Sequence, residues 1–169
     1  MIKAFFLDRD GVLIKDYGYV CDVKKIKWLK GAKNSIKILN KNKIKVIIVT
    51  NQSGVARGYF SEIELKRFHI YMNKELQKNK CRIDAFFYCP YHPKAVIKKY
   101  KKDSNLRKPS NGMLKLAIKK FKLKAKECFM IGDKKTDFLA AKKSKIQFQY
   151  KKNYSLEKQV KKIIEKFEY

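Results

Sequence analysis

Ile2-Lys3-Ala4-Phe5-Phe6-Leu7-Asp8-Arg9-Asp10-Gly11 opens the chain with an apolar run that stops abruptly at two carboxylates and a glycine. The run is too short for a helix and is rich in aromatic residues, so it reads as a buried strand over Ile2–Leu7 closing in a turn. Apolar residues at consecutive positions are covered on both faces, as in a sheet lying between helical layers. If that holds, strands and helical stretches should alternate along the rest of the chain.

They do. Further β-rich runs fall at Ile44–Val49, Ala85–Cys89, Cys128–Ile131 and, more briefly, Ile146–Tyr150. Between them, Ala32, Ile36 and Leu39 mark one amphipathic helix, and Ile63, Leu65, Phe68, Met72 and Leu76 the next. Ser61 with Glu64 three residues later forms a capping box for that second helix. Met113, Leu114, Ala117, Ile118 and Phe121 give a third helix, and Phe138–Ala141 a short fourth. Leu156, Val160, Ile163, Ile164 and Phe167 give a closing one. No repeat or linker divides residues 1–169, so one α/β domain is expected. Asp10–Gly31 and Cys89–Arg107 are long enough for a flap and a loop but not for a separate cap domain, so the site should be open from above.

The balance of 43 Lys and Arg against 15 Asp and Glu gives a formal charge of +28, which invites a nucleic-acid or membrane partner. The distribution argues otherwise. Only Arg9, Arg57, Arg67, Arg82 and Arg107 are arginines, and the lysines are scattered over the whole chain rather than gathered into an arm. Cys21, Cys81, Cys89 and Cys128 lie far apart without a paired motif, which suggests a reduced, cytoplasmic protein. No apolar run approaches the roughly 20 residues of a membrane span.

In open parallel sheets, ligands sit beyond the carboxyl ends of the strands. The first strand is followed by Asp8-Arg9-Asp10-Gly11, the second by Thr50-Asn51-Gln52-Ser53-Gly54, and the fourth by Gly132-Asp133 with Asp137. Four of the fifteen acidic residues thus fall in two strand-end turns of an acid-poor chain. Carboxylates that converge repel one another unless a cation sits among them, and an all-oxygen ligand set suits Mg²⁺. Asp8 is then placed to attack phosphorus, and Asp10, two residues on, to protonate a leaving oxygen and later activate water. Lys108 and Thr50 would supply a positive charge and a hydroxyl to the transferring phosphoryl group. Each piece alone has an ordinary explanation. Asp and Gly after a strand are turn chemistry, Asp133 or Thr136 could simply cap a helix, and the Thr50 segment could be only a turn. Their joint placement, each after its own strand, favours a phosphoryl-transfer site.

These motifs resemble those of the haloacid dehalogenase (HAD) superfamily of phosphohydrolases, from Ile2 to about Ala141. The resemblance implies a HAD-like Rossmannoid three-layer fold with a central parallel sheet and an aspartyl-phosphate on Asp8. It also implies Mg²⁺ held by the side chains of Asp8 and Asp133 and the backbone carbonyl of Asp10. Val12 stands where the family pattern has Thr, a position that supports the turn. A finer similarity is to the branch containing heptose bisphosphate and histidinol-phosphate phosphatases. It rests on Asp16-Tyr17-Gly18-Tyr19-Val20, Thr50 to Gly58, Tyr88-Cys89-Pro90 and Arg107-Lys108-Pro109. Asp16, Tyr17, Gly18, Tyr19, Asn51, Gln52, Ser53, Arg57, Arg107 and Lys134 would be the substrate contacts. Arg107 offers a planar guanidinium suited to a second phosphate or a pair of sugar hydroxyls.

That branch commonly carries a structural zinc in the loop after the third strand. Here Cys89 keeps the first ligand position, while Tyr91, Ser104 and Leu106 occupy the others and His92 lies one residue off. One thiol and one displaced imidazole do not make a four-coordinate site, so no structural zinc is expected. Cys89 then reads as a small buried residue, and Tyr91, Tyr100 and Leu106 as the packing that holds the loop. His69 reads as a solvated or hydrogen-bonded histidine rather than a ligand.

The expected substrate is a small phosphorylated sugar, a heptose 1,7-bisphosphate losing its 7-phosphate, acted on by a monomer. Histidinol phosphate and a 3'-phosphorylated nucleic acid are the alternatives, and a catalytically silent binding module is a third. Against nucleic acid stands the absence of an arginine-bearing, aromatic-interleaved stripe.

Overall fold

The computed structural model describes residues 1–167, leaving Glu168 and Tyr169, the last residues of the expected closing helix, outside the described residues. Five parallel strands, β1 (Ala4–Leu7), β2 (Lys45–Asn51), β3 (Ala85–Cys89), β4 (Cys128–Gly132) and β5 (Gln147–Tyr150), form one sheet in the order β3-β2-β1-β4-β5. The helices are α1 (Ala32–Lys41), α2 (Glu62–Gln77), α3 (Gly112–Lys120), α4 (Lys135–Lys143) and α5 (Leu156–Phe167).

Alternation along the strands sorts the core into two layers. Phe5, Leu7, Val46, Ile48, Phe129 and Ile131 face α1, α2 and α5, where Ile36, Leu39, Phe68, Met72, Val160 and Ile163 meet them. Ala4, Phe6, Ile47, Val49 and Met130 face the other way onto Met113, Leu114 and Ala117 of α3 and Ala140 and Ala141 of α4. This is the three-layer arrangement expected of the sequence, with no cap domain among the described residues. No described helix is long and apolar enough to cross a membrane.

Register aligns the strands' carboxyl ends. Leu7 pairs with Ile48 on one side and Ile131 on the other, so the residues after β1, β2 and β4 emerge on one edge. Several boundaries differ from expectation: β1 begins at Ala4 rather than Ile2, and β4 runs one residue further, to Gly132. Lys43 and Lys145 adopt positive φ at the ends of α1 and α4, so Ile44 and Ile146 belong to the turns and the strands begin one residue later. β2 runs on to Asn51 because it stays paired with Cys89 of β3. α4 starts at Lys135, well before Phe138, because Asp137, rather than Asp133 or Thr136, accepts from the Asp133 and Lys134 amides at its head.

The capping box of α2 is present: Ser61 Oγ accepts from the Glu64 amide, and the Glu64 carboxylate accepts from the Ser61 amide. Ser61→Ala should cost about 1 kcal/mol. Urea unfolding should show a lower midpoint with an unchanged slope.

Candidate active site

Asp8 leaves β1 with a buried carboxylate. Its Oδ1 accepts from the Arg9 amide at 2.8 Å, and its Oδ2 lies 3.1 Å from Lys108 Nζ. Lys108 is itself 3% exposed. Its ammonium has three acceptors and three hydrogens to give them: Asp8 Oδ2, Asp137 Oδ1 at 2.6 Å and the Val49 carbonyl at 2.8 Å. The lysine therefore ties the ends of β1 and β2 to α4. Burial pulls this ammonium down, but Asp8 and Asp137 outweigh it and hold it above its usual range.

Asp133 completes the acidic edge. Carboxylate oxygens of Asp8, Asp133 and Asp137 lie within 4.8 Å of one another. Asp137 is committed, with Oδ1 on Lys108 and Oδ2 on two backbone amides. Asp133 Oδ1 is buried with no hydrogen-bond partner. Its carboxylate rests on Gly11, where φ is +82° and a Cβ would stand 2.2 Å from Asp133 Oδ2; a Cβ at Gly132 would strike the Asp137 side chain. Only glycine lets these carboxylates come so close to the β1 turn. Burial pushes Asp8 up to about 7 despite Lys108, with Asp137 and Asp10 adding to the rise, and burial also raises Asp133. An orphaned oxygen beside a buried carboxylate, both resisting ionisation, is what a small hard cation would correct. The residues fit Mg²⁺.

Asp10 is held from behind. Arg9, 0% exposed, lies with Nε 3.1 and 3.2 Å from the two Asp10 oxygens and Nη2 3.0 Å from Oδ2. Gln52 Nε2 donates to the same Oδ2 and to Thr50 Oγ1, both at 2.9 Å, while Gln52 Oε1 accepts from Arg9. Asn51 donates to the Lys108 carbonyl and accepts from the Lys108 amide, fixing that residue's backbone.

The cavity in front of these groups, about 380 Å³, is bounded by Asp8, Asp10, Asp16, Gly18, Tyr19, Thr50, Asn51, Gln52, Ser53, Arg107, Lys108, Lys134 and Thr136. A larger cleft of about 550 Å³ lies at the opposite end of the sheet between Lys43, Lys45, Lys80 and Arg82, away from the carboxylate cluster. At the mouth of the smaller cavity, Lys134 Nζ bonds Asp16 Oδ2 at 2.8 Å and joins the flap to the head of α4. Burial tends to raise Asp16, but the Lys134 ammonium and the Gly18 amide hold it below the usual range.

Several expected contacts are placed differently. Tyr17 is half exposed under Lys15 Nζ, and Arg57 stacks on Tyr19 with 5.5 Å to the ring centre; neither lines the cavity. The Gln52 and Asn51 amides border it but are spent on Asp10, Thr50, Arg9 and Lys108. Thr136, considered in the sequence only as a helix cap, also lines it. His69 is buried, stacked on Phe86 with ring centres 4.3 Å apart and Nε2 3.3 Å from Arg9 Nη1. It is the hydrogen-bonded histidine, not the solvated one. Arg9's reach was missed too, although an arginine between two aspartates in a lysine-rich chain was a visible signal. Val12 is fully buried beneath the turn.

Packing occupies the loop after β3. Cys89 is fully buried, Tyr91 packs 6.0 Å from Tyr100 between ring centres, and Leu106 joins the α3 side of the core. Ser104 Oγ accepts from the Leu106 amide and His92 Nδ1 from the Lys94 amide.

A parallel α/β sheet with a buried strand-end carboxylate, a lysine bonded to it and a second acidic turn opposite defines a phosphoryl-transfer hydrolase. Residues 5–77 match the model of the haloacid dehalogenase-like hydrolases, and residues 105–149 that of the HAD-hydrolase-like proteins. A D-glycero-beta-D-manno-heptose-1,7-bisphosphate 7-phosphatase of Haemophilus influenzae is 40% identical over 147 residues, 87% of this chain and 79% of the relative. A putative HAD-like phosphatase structure from Mesorhizobium loti superposes with a TM-score of 0.80 at 33% identity, covering 86% of this chain and 69% of that one. The D,D-heptose 1,7-bisphosphate phosphatase of B. bronchiseptica, solved with magnesium and phosphate, shares the fold with a TM-score of 0.81 at 23% identity, covering 98% and 99%. The chain belongs to the haloacid dehalogenase-like hydrolases, in the family of the heptose bisphosphate phosphatases.

Proposed function

We propose that this protein is a Mg²⁺-dependent phosphatase that removes the 7-phosphate of D-glycero-D-manno-heptose 1,7-bisphosphate, leaving heptose 1-phosphate. The observation that carries this reading is the Asp8–Lys108–Asp137 chain of ion pairs beside the unpartnered Asp133 oxygen. Its support among relatives is the 40% identity to an enzyme named for that reaction.

The side chains of Asp8 and Asp133 and the carbonyl of Asp10 would hold Mg²⁺, which supplies charge neutralisation at the phosphoryl oxygens when bound. An Asp8 oxygen forms a bond to phosphorus as the bond to the sugar's O7 breaks, and Asp10 gives O7 its proton. Asp10 then takes a proton from water, whose oxygen attacks phosphorus, releasing phosphate and restoring the Asp8 carboxylate. Thr50 and Lys108 stabilise the transferring group, Lys108 also keeping Asp8 aimed. Gly18, Tyr19, Ser53, Arg107 and Lys134 face the remainder of the sugar, with Arg107 placed for the second phosphate. We assign the enzyme to the cytoplasm as a monomer.

Phosphate release in magnesium from both anomers of heptose 1,7-bisphosphate, fructose 1,6-bisphosphate, histidinol phosphate and a 3'-phosphorylated oligonucleotide tests the assignment. One heptose anomer should exceed every non-heptose substrate in kcat/KM by at least about tenfold, a modest demand on a site that pairs polar groups with its substrate. Histidinol phosphate in first place would move the protein to the neighbouring activity. An oligonucleotide in first place, weakening steeply with salt, would make the +28 charge functional.

A further inference from the structure

We propose that His69 is a positioning residue for proton transfer, acting through Arg9 to fix which oxygen of Asp10 faces the substrate. The proposal rests on the reading of Asp10 as the acid and base.

The two oxygens of Asp10 are unequally engaged. Oδ2 takes Arg9 Nη2 at 3.0 Å, Gln52 Nε2 at 2.9 Å and the longer edge of Arg9 Nε at 3.2 Å. Oδ1 has only the other edge of Nε, at 3.1 Å. Oδ2 is therefore the anchored oxygen, and Oδ1 is the one left to exchange a proton with a leaving group or water in the cavity that Asp10 borders.

This division holds only while the guanidinium cannot turn. A fork that bonds a carboxylate along one edge can still rotate on its flexible stem unless its far side is fixed as well. Four contacts do that. Nη2 also donates to the Val20 carbonyl of the flap at 2.9 Å and to Gln52 Oε1 at 3.0 Å, and Phe68 lies under the plane with 4.8 Å to its ring centre. Nη1, the nitrogen pointing away from Asp10, meets the Nε2 of His69 at 3.3 Å.

A guanidinium can only donate, so His69 Nε2 must be the acceptor and the ring proton must sit on Nδ1. Burial, reinforced by the neighbouring cation, holds His69 well below its usual range, so the ring stays neutral and able to accept. The imidazole is itself clamped against Phe86, with ring centres 4.3 Å apart and planes 10° from parallel. Chain distance makes this pair informative: α2 supplies a neutral acceptor to an arginine 60 residues earlier, at the edge of the fork that, among the described residues, no carboxylate or carbonyl meets. The Val20 bond brings the flap that borders the cavity into the same device.

The test uses the leaving group. An alkyl sugar phosphate needs its departing oxygen protonated, whereas p-nitrophenyl phosphate releases a phenolate that is stable without a proton. kcat/KM covers the steps up to loss of that group, so it reads the acid role of Asp10 alone. His69→Phe keeps the ring stacked on Phe86 and removes the acceptor. It should lower kcat/KM for the sugar phosphate roughly 10- to 100-fold, a fraction of the roughly 10²- to 10⁴-fold that acid catalysis supplies, and for p-nitrophenyl phosphate by no more than about threefold. His69→Gln, which can place an oxygen near the position of Nε2, should recover most of the loss. Should His69→Phe fail to accumulate folded, His69→Leu carries the same readout.

Equal losses on the two substrates, or no loss on either, overturn the proposal, the first pointing to a merely structural histidine. Asp10→Asn is measured in parallel. A leaving-group-selective loss in Asp10→Asn without one in His69→Phe defeats the positioning role alone. No selectivity in Asp10→Asn defeats the acid assignment, and the proposal falls with it.

Discussion

Asp8→Asn should give a folded protein that does not turn over, with kcat reduced roughly 10⁴-fold or more, because an amide oxygen does not form the acyl-phosphate that splits the reaction into two steps. Acid quenching during turnover should trap phosphoprotein in the wild type and none in the variant. Residual turnover within tenfold of wild type, in magnesium, would remove Asp8 from the nucleophile's role. The same substitution should also change stability in a direction set by electrostatics. In the metal-free protein, burial raises Asp8 from 3.8 to about 7, so the folded state keeps a proton that the unfolded chain releases at lower pH. A group with a raised folded pKa contributes stability that is fully present below the unfolded value and lost as pH rises through the folded one. Metal-free wild type should therefore lose melting temperature between about pH 5 and about pH 8 by more than Asp8→Asn does, since asparagine does not titrate. Parallel pH profiles for the two proteins would contradict the burial argument while leaving the kinetic one standing.

The strand-end chemistry was legible because each piece is local. An apolar run terminated by Asp8-Arg9-Asp10-Gly11 dictates both a buried strand and what emerges from it, and the parallel register carries β2 and β4 to the same edge. Reach is what the sequence did not reveal. Asn51 and Gln52 sit at the cavity, as their place after β2 requires, yet whether an amide faces substrate or a neighbour depends on groups 42 and 57 residues away in the chain. The sequence assigns Arg9 no role of its own, and only the packing of α2 shows that its far edge ends on His69. Tyr17 and Tyr19 are two residues apart on an exposed flap, where alternation gives no rule; the structure puts Tyr19 on the cavity and Tyr17 under Lys15. The same limit applies to Asp137. Its spacing from Asp133 suggested a member of the acidic cluster, and it is one, but its oxygens are spent on capping α4 and on Lys108.

Lys108→Met makes that division of labour measurable. The substitution keeps a long unbranched side chain and deletes an ammonium that meets Asp8, Asp137 and the Val49 carbonyl in a dry site. Two carboxylates then face each other without their shared cation, and breaking a buried pair in this way typically costs about 3–5 kcal/mol. Urea unfolding in excess chelator should show that loss, and turnover in magnesium should fall roughly 10²- to 10³-fold or more. Adding Asp137→Asn separates the two effects. The amide oxygen can still accept from the Asp133 and Lys134 amides that begin α4, while one buried charge disappears. The double variant should recover a substantial part of the stability and none of the turnover, because Asp8 would still lack the positive charge that aims it and the phosphoryl group its donor. If Lys108→Met were as stable as wild type, the lysine would not be what ties β1, β2 and α4 together. If the double variant regained turnover, the catalytic need would be for relief of Asp137's charge and not for the ammonium itself.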